Sequence, residues 1–236
     1  DAVQAIASSR EGRDLRLRMR ERLGNGRLLL AVDRLDYTKG IPARLHAFAE
    51  LLRKHPHLHQ RVSLVQVAVP SRTDVEQYAA LKREVDEFVG HLNGRLSRPG
   101  WTPIHYLYRS LGMHDLVALY GIVDVAVVTP LRDGMNLVAH EFAASRIDHD
   151  GVLVLSEFAG ASTVLDGAVL VNPYDKARTA DALARALAMP QPEREDRMRR
   201  LRLSVRKHRV SRWQRDFLSA LGAARVLPTE EPEPLA

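Results

Sequence analysis

The sequence contains no cysteine. That excludes a disulfide scaffold, a thiolate zinc site and a cysteine nucleophile, and it accords with a reducing cytoplasm, the compartment expected for this chain. No uninterrupted apolar run approaches the ~18 residues that a membrane span needs. Lysine is scarce, five residues against thirty arginines, and aromatics make up only 6%. No glycine-rich dinucleotide fingerprint follows the first apolar run, no Gly-x-Ser-x-Gly elbow is present, and no Asp-x-Asp closes a strand as a divalent-metal clamp would require. The chain does not begin with methionine and residues 1–4 are not a signal peptide, so a piece of a longer protein is the expectation.

What is present is enough for a substantial core: 236 residues, 45% of them hydrophobic, with a net charge of +6. The charge is concentrated at the two ends. Residues 10–27 carry seven arginines against three acids, and residues 193–216 carry ten basic residues against four acids. An acidic stretch, 228–236, follows, and the middle of the chain is nearly neutral. The arginine-rich segment 193–215 invites a nucleic-acid reading. Against it, Met198, Leu201, Val205, Trp213 and Phe217 keep helical spacing, and no base-reading motif or stacking aromatics accompany the arginines. Both basic ends are therefore expected to be solvated helix faces, with no nucleic-acid partner and no membrane contact.

Continuous apolar runs at 28–33, 62–69, 103–108, 122–128, 152–155 and 168–171 read as buried parallel strands. Helical patterns intervene over 42–55, 73–96, 113–120 and 136–147, with others at 2–22, 176–188, 192–208 and 211–222. This alternation predicts a doubly wound, mostly parallel α/β sheet with helices on both faces, Rossmann-like in type. The expected organisation is an N-terminal helix and linker over 1–26, a Rossmann-like domain over 27–225 and a disordered tail over 226–236. In such sheets ligands sit at the carboxyl ends of the strands, so the strand-to-helix loops are where chemistry is sought.

The first loop, Arg34-Leu35-Asp36-Tyr37-Thr38-Lys39-Gly40, brings two cations and a glycine to a helix start. That composition suits an oxyanion, which arginine grips in a fork and lysine meets as a point charge. The plain alternative is a solvated loop with an Arg34–Asp36 ion pair. The second loop, Pro130-Leu131-Arg132-Asp133-Gly134-Met135-Asn136-Leu137-Val138-Ala139-His140-Glu141, also opens a helix. Its amides form a cradle for phosphate or sugar hydroxyls, and Glu141 is placed to accept from a ribose diol. Alternatively Asp133 caps the helix and Glu141 is solvated. In the third, Val69-Pro70-Ser71-Arg72-Thr73-Asp74, Ser71 or Thr73 is a candidate cap with Glu76 completing a box, and Arg72 either faces the cleft of Arg34 or is a plain solvated arginine. A fourth, Glu157-Phe158-Ala159-Gly160-Ala161, reads as a tight wall. The run His55-Pro56-His57-Leu58-His59 lies at the wrong end of the sheet for a site, and a metal is not expected there.

The first loop, Arg34 to Gly40, then Gly100-Trp101-Thr102-Pro103, the second loop, Pro130 to Glu141, Val154-Leu155-Ser156-Glu157-Phe158-Ala159-Gly160-Ala161 and Val171-Asn172-Pro173-Tyr174-Asp175 occur in this order in the trehalose-6-phosphate synthases, which the chain resembles over about 27–220. The resemblance implies the second, donor-binding lobe of a two-lobed retaining glycosyltransferase of the GT-B type. Such an enzyme moves glucose from UDP-glucose to glucose 6-phosphate without a metal or other cofactor. Arg34 and Lys39 then hold the UDP diphosphate and act in catalysis, and Arg72 reaches the acceptor phosphate. Asp133 meets donor-glucose hydroxyls beside the backbone of Gly134, Met135 and Asn136. Leu137, Val138, Ala139, His140 and Glu141 line the nucleotide pocket, Glu141 at the ribose, and Leu111 touches uracil through its backbone. Thr38 stands where the family often has serine, and Val69 precedes a slightly altered third loop. Nothing corresponds to the family's first lobe, so that lobe is the expected partner in cis or in trans, alongside UDP-glucose or UDP and glucose 6-phosphate. A homo-oligomer is also admitted. Sister activities on glycerol phosphate or an aminocyclitol phosphate, and a silent nucleotide-sugar module, are the alternatives.

Overall fold

The computed structural model describes residues 2–208 and 210–224. The expected tail at 226–236, and the surroundings of Trp213, lie outside them.

Six strands form one sheet in which every neighbouring pair is parallel. They are β1 (Arg27–Arg34), β2 (Val62–Val69), β3 (Ile104–Leu107), β4 (Val125–Val128), β5 (Val152–Ser156) and β6 (Val169–Val171). The order is β3-β2-β1-β4-β5-β6. The chain works outward from β1 in one direction, then returns to lay β4 on the other side of β1. The order therefore reverses between β1 and β4, which is where an open α/β sheet leaves its ligand crevice.

The strands are apolar throughout because both faces are covered. Period-2 alternation sends Leu29 and Ala31 into one core and Leu28, Leu30 and Val32 into the other. The first core is closed by α3 (Ile41–Lys54), α4 (Glu76–Leu96) and α7 (Lys176–Ala188), through Leu45, Phe48, Val85 and Leu183 among others. The second is closed by α5 (Met113–Ile122), α6 (Leu137–Ser145) and α8 (Gln191–Lys207), through Tyr120, Phe142, Met198 and Leu201. Each such fully buried side chain contributes ~1.5–3 kcal/mol of transfer free energy.

The N-terminal helix differs from expectation. It is two helices, α1 (Ala2–Ser8) and α2 (Arg10–Leu23), broken at Ser9. Ser9 adopts an extended conformation and its hydroxyl accepts from the Gly12 amide at 2.9 Å, a cap the sequence pattern did not flag. Gly12 is needed because a Cβ there would lie 2.2 Å from the Ile6 carbonyl. Both helices pack on the body: α1 on α5 and α6, α2 on α5. α4 begins at Glu76, later than expected, and its cap is Val75 with no side-chain bond, so the capping box does not form. α5 runs on to Ile122, which delays β4 to Val125. Past residue 208 a separate helix follows, α9 (Val210–Ala224), on which Phe217 is exposed.

The solvated-arginine expectation also needs correction. Arg202 of α8 is buried, and its Nη1 donates to the carbonyls of Ala143 (3.2 Å) and Ala144 (2.9 Å) at the end of α6. Arg194 grips Asp150 through two nitrogens, at 2.6 and 3.2 Å. Arg20 of α2 donates to the Gly26 carbonyl at 2.8 Å. These three arginines thus tie the terminal helices to the body, while most of the described basic residues at the two ends are exposed, as expected. No described helix is long and apolar enough to cross a membrane.

Candidate functional site

The loops after β1 and β4 meet at the point where strand order reverses. Their backbones are joined, with the amides of Leu131 and Arg132 donating to the Thr38 carbonyl at 2.7 and 3.3 Å. Gly40 permits this approach. Its φ is +66°, and a Cβ there would lie 2.6 Å from the Thr129 carbonyl. Their side chains are joined as well, because Lys39 Nζ donates to Asp133 Oδ2 at 2.6 Å, both side chains being mostly buried. Lys39 and Asp133, 94 residues apart, therefore share one spot. The carboxylate neutralises the lysine.

Arg34 ends β1, exposed, and does not pair with Asp36. Among the described residues no hydrogen-bond or ion-pair partner engages its guanidinium, so its donors are free for an anion. Asp36 instead caps the 3-10 turn Tyr37–Lys39, accepting from the Thr38 amide (2.9 Å) and hydroxyl (2.7 Å). It also accepts from the Tyr78 hydroxyl at 3.2 Å, which in turn accepts from Arg72 Nη1 at 3.0 Å. Arg72, with φ +48°, is thereby linked through Tyr78 to the first loop. Burial alone would raise the Asp36 carboxyl, but the two Thr38 bonds, the Tyr78 bond and the charge of Arg34 together hold it below the ordinary aspartate value.

Asn136, not Asp133, caps α6. It has φ +78° and accepts from the Ala139 amide at 3.3 Å. Its own Nδ2 donates to Asp133 Oδ2 at 3.1 Å, so the cap and the ion pair form one unit. The amides of Asn136, Leu137 and Val138 meet no acceptor among the described residues, which leaves a bare helix N-terminus beside Lys39. Met135 and Leu137 are exposed at this opening. Ala139 differs from the expectation that it lines a pocket: its side chain is fully buried in the core and its amide is engaged by Asn136. His140 turns its Nδ1 back to the Asn136 carbonyl at 3.2 Å. Glu141 is half-buried one turn further in and accepts from the Tyr120 hydroxyl at 3.1 Å, which fixes one carboxylate oxygen. Leu111 lies in the loop from β3 to α5, half-buried against the second core.

The fourth loop does form a wall. Gly160 donates its amide to the Asp133 carbonyl at 3.0 Å, and Asp133 donates its own to Phe158 at 3.2 Å. A Cβ on Gly160 would stand 2.0 Å from the Gly134 carbonyl, so only glycine lets this wall close. The residues around His55 do no comparable work: His59 stacks on Trp101 at the far end of the sheet. Among the described residues no group of three or more His, Asp or Glu is placed to hold a metal ion.

Beneath the ion pair lies a feature the sequence reading missed. Arg44 of α3 is 2% exposed. It donates to Asp33 Oδ2 (2.5 Å), Gln66 Oε1 (3.2 Å), Thr129 Oγ1 (2.9 Å) and the Lys39 carbonyl (3.1 Å). One guanidinium thus ties β1, β2, the end of β4 and the first loop. Burial pushes the Asp33 carboxyl up, against the pull of Arg44 and Lys39. The available signal was Arg44 itself, a charge on the apolar stripe of Ile41, Leu45, Phe48 and Leu52.

The sequence matches glycosyltransferase family 20 over residues 1–223. It is 48% identical over 223 residues to a trehalose-6-phosphate synthase of Mycobacterium leprae, covering 93% of this chain and 45% of that protein. A solved alpha,alpha-trehalose-phosphate synthase (UDP-forming) from Burkholderia xenovorans, in complex with glucose-6-phosphate, superposes with a TM-score of 0.90 at 40% identity, over 94% of this chain and 49% of that one. An E. coli structure bound with UDP-2-fluoro glucose superposes with a TM-score of 0.88 at 38% identity, over 93% and 49%. The chain thus spans about half the length of these relatives.

Proposed function

Since the chain belongs to glycosyltransferase family 20, we propose that it is the donor-binding half of a retaining glucosyltransferase that makes α,α-trehalose 6-phosphate and UDP from UDP-glucose and glucose 6-phosphate. The observation that carries this reading is the Lys39–Asp133 pair, which closes the β1 and β4 loops over a bare helix N-terminus at the sheet's switch point. The names and ligands of the relatives supply the substrates.

In this reading Arg34 and Lys39 flank the donor diphosphate, and the amides of Asn136, Leu137 and Val138 complete the cradle. Lys39 exchanges its carboxylate partner for phosphate oxygens. The released Asp133, still held by Asn136, accepts from glucose hydroxyls. Glu141, oriented by Tyr120, takes the ribose, and Leu111 offers backbone to the base. Arg72, braced on Tyr78, reaches for the acceptor phosphate.

When the bond from the glucose anomeric carbon to the diphosphate oxygen breaks, negative charge grows on the leaving UDP. Fixed cations and amides at that point lower the barrier because they are stronger in the transition state than in the ground state. The acceptor hydroxyl attacks from the face the UDP leaves, its proton passing to the departing diphosphate, so configuration is retained without an enzyme nucleophile. The acceptor's remaining contacts belong to a first lobe supplied in cis or in trans. The cytoplasm, where sugar nucleotides and sugar phosphates are at hand, is the proposed compartment.

The test is UDP release from UDP-glucose plus glucose 6-phosphate by the two-lobed protein. Lys39→Ala is expected to lose ~100–1000-fold in kcat, the cost of one lost oxyanion donor. Turnover near that of the unsubstituted enzyme would refute the assignment.

A further inference from the structure

On the edge of the sheet opposite the candidate site, a cleft of about 500 Å³ lies between α2, the end of α5, the starts of β4 and β5, and α8. Five arginines line it, Arg13, Arg16, Arg20, Arg146 and Arg194, against two aspartates. Both carboxylates are already engaged. Asp150 is gripped by Arg194, and Asp124 pairs with Arg27 and accepts from the Leu28 amide at 2.8 Å. Arg146 and Arg20 are committed to the carbonyls that end α5 and follow α2, so the negative ends of those helices are also met.

Arg13 and Arg16 are left over. Each uses only one Nη1 contact, to the carbonyls of Ser8 and Ala7 respectively, both at 2.7 Å, and neither has a carboxylate partner among the described residues. Those carbonyl anchors hold the guanidinium planes in place while further N–H donors stay free. The floor is shaped for this. Arg16 lies across Gly121 so closely that a Cβ there would meet its Cδ at 2.4 Å. A fork of anchored arginines with spare donors is the arrangement that recognises phosphate oxygens in pairs.

We propose that this cleft is a second anion site, for a small phosphorylated molecule carrying two or more phosphate charges. Its volume suits a metabolite rather than a polymer. Occupancy would clamp α2 to the body, because the free donors sit on α2 and the opposing wall on α5, β4 and α8. The proposal does not depend on what the front site binds.

The experiment is isothermal calorimetry of the 236-residue chain with inorganic diphosphate, in an Arg34→Ala/Lys39→Ala background that removes the front cations. One diphosphate per chain is expected to bind there, with affinity falling as salt rises. Arg13→Gln/Arg16→Gln in that background is expected to weaken it at least tenfold. Arg13→Gln alone changes an exposed side chain, leaves the fold intact and is expected to weaken it at least threefold. No binding in the front-site variant, or binding that Arg13→Gln leaves unchanged, overturns the proposal. Orthophosphate binding as tightly as diphosphate overturns the two-phosphate class. Loss of UDP binding without loss of this diphosphate binding bears on the front site alone.

Discussion

Replacing Arg44 by methionine is the sharpest perturbation the structure offers, because it keeps the volume and removes only the fork. Arg44 is nearly inaccessible and carries four hydrogen bonds, one of them to the buried carboxylate of Asp33. Breaking a buried pair from one side leaves an uncompensated charge and costs ~3–5 kcal/mol. The orphaned Gln66 and Thr129 oxygens and the Lys39 carbonyl are each worth ~1 kcal/mol, but within one network they overlap with that figure rather than add to it. A loss of ~4 kcal/mol is therefore expected, out of a total stability of ~5–15 kcal/mol for such a domain. With a urea m-value of ~3 kcal/mol/M the midpoint should fall by about 1.3 M. The effect should shrink at low pH. With Arg44 gone, burial raises the Asp33 carboxyl further, so the folded state binds more protons than the unfolded one above the ordinary aspartate value of ~3.9. Stability then falls as pH rises through the window between the two values, and is recovered in acid. The companion variant Asp33→Asn/Arg44→Met should be more stable than the sum of the single losses by ~2 kcal/mol. A midpoint within about 0.3 M of the original, or strictly additive single and double losses, would refute the view that this pair is a coupled buried unit.

Four other outcomes are expected. Lys39→Ala in the isolated chain should weaken UDP binding at least tenfold by calorimetry, and unchanged affinity would remove Lys39 from the diphosphate. Tyr120→Phe should weaken UDP through the ribose, by ~1 kcal/mol for one lost bond to Glu141, with little change in diphosphate affinity; equal loss for both ligands would contradict the ribose role. Gly160→Ala drives a methyl into the Gly134 carbonyl, so the wall must shift, at ~1–3 kcal/mol of stability in a thermal melt, and an unaltered melting temperature would show that the contact yields freely. Thr38→Val removes the hydroxyl bond that helps hold Asp36 low. Because that carboxyl is depressed in the folded state, its contribution is present above ~3.9 and lost as pH falls through the folded value. The stability gap between the two proteins should therefore narrow in acid unfolding below pH ~4, and a gap that widens there would contradict the assigned direction.

The residues themselves determined the class of fold. Leu28 to Val32 or Val62 to Val69 can be apolar at every position only if both sheet faces are covered, and helices at 3.6-residue spacing between such strands leave a parallel sheet as the outcome. Motif order then named the strand ends that carry Arg34, Lys39, Arg72 and Asp133. What the chain could not declare locally is which distant groups satisfy one another. Whether Asp133 caps a helix or pairs with Lys39 depends on β1 and β4 being neighbours, 94 residues apart along the chain. Whether Asp36 binds Arg34 or Tyr78 depends on how α4 leaves β2. Charge on Arg44 and Arg202 reads locally as solvated, because burial is a property of the assembled surface and not of the residue. Short-range pattern set the elements, while the pairing of buried charges was decided only when packing removed water and made each one need a partner.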